Sequence, residues 1–136
     1  MSGVKRALPL INEQNQDYWT GGASGALRIF RCQSCDYYVH PAVHFCPKCE
    51  SRDVAPESVS GHGVVATYTV NHKQWMPDLE VPYVLAIVEL DEQPGLRVAT
   101  NIINCPPARV HIGMRVNVLF EHVEDVWVPL FEPEET

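Results

Sequence analysis

Four cysteines in the stretch CQSCDYYVHPAVHFCPKC, from Cys32 to Cys49, constrain this chain more than any other feature. They form two CxxC pairs, Cys32/Cys35 and Cys46/Cys49, with ten residues between them. A two-residue spacer lets each pair wrap as a tight turn whose two sulfurs point at one spot. Ten residues are enough for a short hairpin to bring the second pair opposite the first. Zinc takes four such thiolates in a tetrahedron at about 2.3 Å, and the binding energy then becomes folding energy. Disulfides are the competing use of four cysteines, and they belong to oxidising compartments. The opening MSGVKRALPLINEQNQ carries no apolar stretch of secretory length, and the run YVLAIV is far too short to span a bilayer. A cytoplasmic protein outside the membrane, with reduced thiols and bound zinc (iron being the rarer occupant), is expected.

A site of four thiolates is closed, whereas catalytic zinc keeps an open position, so the ion is expected to be structural. His40 and His44 lie between the pairs and read as surface or supporting residues rather than a fifth ligand. Asp36 and Glu50 follow the pairs, where such turns often carry glycine. A left-handed backbone suits Asp moderately and Glu less, which predicts a second turn of different shape. Cys105, in NCPPA, has no thiol near it in sequence and reads as a small buried residue.

Before the metal stretch, a short helix is expected from Asn12, with Tyr18 and Trp19 as its apolar contact. Gly21, Gly22 and Gly25 argue against its continuing, and ALRIFRC enters the ribbon as a strand. After Glu50 the pattern turns to strands: GVVATYTVNH, YVLAIVEL, LRVATNII, MRVNVLFEHV and VWVPLF, punctuated by glycine and proline. Five strands with no helical pattern between most of them point to a small closed antiparallel sheet, because closure removes exposed edges. The five-stranded oligonucleotide/oligosaccharide-binding (OB) barrel is the expected form, with a β-sandwich fragment as the competitor. The pair Gly61 and Gly63 would let the first barrel strand bend. The fold expected is therefore mainly β: a short helical N-terminal segment (1–28), a four-cysteine zinc ribbon (29–58), and an OB-fold barrel with an acidic tail (59–136).

The irregular segment NHKQWMPDLEVP holds His72, Lys73, Trp75 and Met76, with Tyr83 just beyond it. Loops on small barrels carry binding residues, so His72, Lys73, Trp75, Tyr83 and, farther along, Arg97 are candidate ligand-facing or partner-facing groups. The alternative for Trp75 is that it caps an open barrel end. No Gly-rich phosphate loop, GxSxG elbow or histidine–nucleophile spacing is present, so no catalytic residue is assigned. Ten basic residues against seventeen acidic ones, net −7, weigh against a nucleic-acid-binding module, the alternative that zinc ribbons and OB barrels would otherwise suggest. The acidic EPEET end reads as a solvated terminus.

The order of parts resembles an acyl-CoA-associated family of OB-fold proteins with a rubredoxin-like zinc ribbon. The stretches carrying the resemblance are DYWTGGASGALRIFRCQSC, HPAVHFCPKCES, VSGHGVVATYTV, VPYVLAIVELDE and IGMRVNVLFE. The family's Pro-Pro-Arg run ahead of the second cysteine pair is replaced by Pro41, Ala42, Val43 and His44, so no arginine role carries over. The resemblance implies a non-catalytic accessory subunit of a thiolase-like enzyme, with a hot-dog-fold hydratase as a further partner of some members. The implied chemistry is carbon–carbon bond cleavage or formation on a CoA thioester, such as acyl transfer or retro-aldol cleavage of a steroid side chain. Acyl-CoA would then be a ligand shared with the partner, whose residues would perform catalysis.

Overall fold

The computed structural model of the chain describes residues 8–75, 77 and 80–134. Met76 and the last two residues of the acidic tail lie outside the described residues. Within the described residues, two sheets carry the architecture. The first is a three-stranded antiparallel ribbon, in order β2-β1-β3, from β1 (Leu27–Cys32), β2 (Tyr38–Val39) and β3 (Val54–Val59). The second is a closed barrel in order β4-β5-β6-β8-β7, from β4 (His62–Asn71), β5 (Tyr83–Leu90), β6 (Arg97–Ile102), β7 (Arg115–Val123) and β8 (Val126–Pro133). β4 closes the barrel by pairing with β5 on one side and β7 on the other, and a single parallel contact, Ile102 with Phe131, joins β6 to β8. This is the OB strand order, and the sandwich alternative is excluded by closure.

The period-2 pattern decides which side chains fill the barrel. Val65, Val84, Val88, Val98, Val116 and Phe131 are fully buried inside it. Leu27, Ile29 and Tyr38 of the ribbon join the same cluster, so ribbon and barrel share one core. Gly63 pairs with both β5 and β7, and a Cβ there would lie 2.4 Å from the Glu89 carbonyl oxygen. Gly61 has φ +79°, and the irregularity in the β4–β5 ladder falls at Val65–Thr67 rather than at the glycines. The turn between β5 and β6 reaches back to the ribbon. Gln93 Nε2 donates to the Tyr38 carbonyl at 3.0 Å and its Oε1 accepts from the Tyr38 amide at 2.8 Å. A side-chain amide thus stands in for a neighbouring strand.

The N-terminal helix, α1, spans Gln16–Thr20, starting later than expected. Asn12 is outside it because its Oδ1 accepts from the amides of Gln14 and Asn15, a local turn that competes with helix. After Thr20 the chain tightens into a 3₁₀ turn at Gly21–Ser24. Gly22 is pressed against the Trp127 Cβ and the Phe120 ring, leaving no room for a side chain. Trp19 packs beside Val126, Val128 and Leu130, so the helix seats on the outside of β8.

Candidate metal centre and binding surfaces

Both CxxC turns are built the same way. The amide of Cys32 donates to the Tyr37 carbonyl at 2.8 Å and that of Asp36 to the Cys32 carbonyl at 2.9 Å. In the second turn Cys46 donates to Ser51 at 2.8 Å and Glu50 to Cys46 at 2.8 Å. Asp36 and Glu50 hold φ of 67° and 65°. The expected difference in shape is therefore corrected: two hydrogen bonds per turn impose the left-handed residue on Glu as firmly as on Asp.

All four Sγ atoms lie within 4.8 Å of one another. Cys32 and Cys49 sulfurs are 3.5 Å apart, and those of Cys35 and Cys46 are 3.7 Å apart. A tetrahedron with bonds of about 2.3 Å has edges of about 3.8 Å, so the residues fit zinc, whereas a disulfide needs sulfurs at about 2.05 Å. The amides of Cys35 and Lys48 donate to the sulfurs of Cys32 and Cys46 at 3.4 and 3.3 Å, which favours thiolate. The Cys35 amide is the main reason the Cys32 thiol is pulled down to about 6. Burial alone would raise the Cys46 thiol, but the amides of Cys49 and Lys48 together with the sulfurs of Cys35 and Cys49 bring it down. Cys49 is raised to about 12, its Ser51 amide contact being overcome by the neighbouring sulfurs of Cys32 and Cys35. A divalent cation removes this mutual repulsion and lets all four ionise. Cys32 and Cys46 are buried, and Cys35 and Cys49 reach the surface. His40 and His44 are not part of the four-sulfur cluster. Cys105 is half-buried against the barrel core rather than buried.

The other candidate residues do not converge. His72, Lys73 and Trp75 lie exposed in the β4–β5 loop. Trp75 is 58% exposed and its indole N–H donates to the Tyr83 hydroxyl at 2.8 Å. Arg97 faces out at the far end of the β5–β6 ladder, paired with Glu89 at 3.1 Å. Glu89 is six positions beyond Tyr83 along β5, about 20 Å of strand, so Arg97 stands apart from the loop. Arg115 is likewise held by Asp91 at 2.7 and 2.8 Å, which leaves these barrel cations neutralised.

Two features escaped the sequence reading. One is the outer face of the barrel around β5, where Tyr83, Leu85 and Ile87 point out beside Thr67, Thr69 and Ala99. Leu85 is 46% exposed there. The signal was the unbroken apolarity of YVLAIVEL: a strand wet on one side should alternate, and one apolar on both faces is usually covered on both. The other is a cleft of about 330 Å³ among α1, the ribbon and β6, lined by Tyr18, Trp19, Arg28, Phe30 and His40. Its residues come from four separate stretches, so no local pattern marks it. No helix among the described residues is long and apolar enough to cross a membrane.

Comparison with known proteins agrees with this architecture. The zinc-ribbon family described as "ChsH2, rubredoxin-like zinc ribbon domain" matches residues 19–55, and "ChsH2, C-terminal OB-fold domain" matches residues 57–121. A solved chain of an Ltp2-ChsH2(DUF35) aldolase superposes with a TM-score of 0.83 at 35% identity, covering 93% of this chain and 98% of that one. A DUF35 domain-containing scaffold protein of Methanocaldococcus jannaschii is 37% identical over 99 residues, 70% of this chain and 67% of that protein. A probable enoyl-CoA hydratase alpha subunit of Thermomonospora curvata is 36% identical over 129 residues, 94% of this chain. This chain spans 40% of that hydratase subunit's length.

Proposed function

The chain belongs to the ChsH2/DUF35 family, in which a rubredoxin-like zinc ribbon is joined to an OB fold, and from that premise we propose that it is a non-catalytic accessory subunit of a thiolase-like acyl-CoA enzyme. The observation that carries this reading is the match to nearly the whole of a chain belonging to an aldolase assembly. The enzyme it serves makes or breaks a carbon–carbon bond on a CoA thioester, with retro-aldol cleavage of a steroid side chain as the specific reaction. Catalytic groups belong to the thiolase-like partner. A hot-dog-fold hydratase is a second partner in this reading; the Thermomonospora curvata relative is itself named a hydratase alpha subunit. The assembly works in the cytoplasm.

In this reading the zinc holds the ribbon rigid and the barrel presents its uncharged outer face to the partner. Trp75, Val81 and Leu85 are exposed apolar groups, Tyr83 is half-buried and bonded to Trp75, and His72 and Lys73 are exposed in the same loop. Aromatic anchors ringed by polar groups are what protein interfaces use. Acyl-CoA then runs in a channel to which this loop contributes, and Arg97 lies outside it. The nucleic-acid alternative gains nothing from the structure, because Arg97 and Arg115 are already bound to carboxylates.

The test is an assay of CoA-thioester cleavage with the thiolase-like chain alone, this chain alone, and both together. Activity is expected with both, little or none with the partner alone, and none with this chain alone. Turnover by this chain unaided would overturn the non-catalytic role.

A further inference from the structure

Arg28 projects from β1 into the cleft between α1, the ribbon and β6, and it is half-buried. Arg31, Arg97 and Arg115 are paired with Glu57, Glu89 and Asp91, and Lys48 lies over the Tyr37 ring. Arg52, Lys73 and Arg109 are exposed, where water serves their donors. Among the described residues Arg28 is a half-buried cation with no hydrogen bond or ion pair to a protein group, its guanidinium still reaching water. A guanidinium offers five donors in a planar fork, a geometry that matches a carboxylate, and here that fork is not taken up by any protein acceptor.

The walls specify what would match it. Among the described residues, no acidic residue lines the cleft. His40 stacks at 4.7 Å on Tyr18, and burial holds its imidazole down to about 4, so it is neutral near pH 7. One cation with neutral polar neighbours suits a monoanion better than a dianion. Trp19, Phe30 and Pro41 supply apolar surface around it. A second cavity of about 200 Å³, reaching Leu85 and Leu130, shares Tyr18, Trp19 and Ala99 as walls with the first. Polar recognition at one end and an apolar trough beyond it is the plan of a site for a chain-like amphipath.

We propose that this cleft binds an apolar monocarboxylate, its carboxylate held in a two-pronged pair by Arg28 and its hydrocarbon body lying over Trp19 and Ala99 toward Leu85. The site belongs to this chain alone and does not depend on the accessory-subunit reading. It places a ligand on the seam where helix, ribbon and barrel meet, so occupancy would brace that seam.

The experiment is titration calorimetry of the zinc-loaded full chain with decanoate, decanol and decyl phosphate. Decanoate is expected to bind, with decanol and decyl phosphate each weaker. Arg28→Gln should lower decanoate affinity about tenfold or more, the loss usual for a charge-assisted pair, with Arg28→Lys in between. Because Arg28 makes no contact that folding needs, zinc content and melting should stay unchanged in Arg28→Gln. Ala99→Phe, which narrows the shared wall, should weaken decanoate without touching the charge. No decanoate binding, equal binding of decanol, tighter binding of decyl phosphate, or insensitivity to Arg28→Gln would each overturn the proposal.

Discussion

Cys32 and Cys46 are buried at the base of the metal centre while Cys35 and Cys49 face outward, so the four ligands differ in what their loss exposes. Replacing Cys46 by Ser removes a buried ligand and should take zinc from about one ion per chain to none, with the ribbon unfolding, as elemental analysis and circular dichroism will read. Cys105→Ser should leave zinc content unchanged, since its sulfur is outside the cluster. His40 gives a pH prediction with a definite sign. Burial holds it down to about 4 in the fold, against 6.5 in an unfolded chain. The unfolded state therefore binds more protons between those values, and stability falls as pH falls through that window, by up to about 3 kcal/mol. Denaturant midpoints read across the window should show this loss in the parent and not in His40→Phe. Equal pH slopes would show that His40 is not held neutral by the fold. The cysteines were legible because ligand spacing is a local property of the chain. His40's environment was not, because Tyr18, its stacking partner, lies twenty-two residues away in sequence.

Among the elements, the barrel strands were legible and the helix start was not. β-branched runs with glycine and proline between them announce strands, whereas the contest between Asn12's side chain and a helical turn is settled by hydrogen bonds no pattern displays. The ribbon–barrel joint was equally hidden: nothing in the turn DEQPG shows that Gln93 will complete a strand edge for Tyr38. Gln93→Ala leaves the Tyr38 amide and carbonyl without partners in a part-buried place. It should destabilise the fold by about 1–3 kcal/mol, measured by urea denaturation, and raise amide exchange at Tyr38. Gly63→Ala should cost more than an ordinary strand glycine replacement, because the new methyl meets the Glu89 carbonyl at barrel closure. A wild-type midpoint in that variant would mean that β4 and β5 can part there without penalty.

At the scale of the whole molecule, a single core runs from Leu27 and Ile29 in the ribbon to Phe131 in the barrel. The zinc centre and the barrel are therefore coupled, and chelation should lower the melting temperature of the entire chain rather than of the ribbon alone. Biphasic melting on chelation, with barrel signals unmoved, would contradict that. The order of ribbon and barrel could be read from sequence, since each announces itself locally. The loop holding Trp75 could be singled out by its irregular composition, but Leu85 and Arg28 could not, because they acquire their meaning only from strands and loops that folding brings beside them. On the proposed reading, the apolar surface around Leu85 and Trp75 is where another protein holds this one. The most direct measurement is purification of the tagged chain from its native cell, with mass spectrometry of whatever elutes in near-equal amount. A thiolase-like chain at a fixed ratio is the predicted result; the chain eluting alone, or with nucleic acid that nuclease strips away, would contradict it.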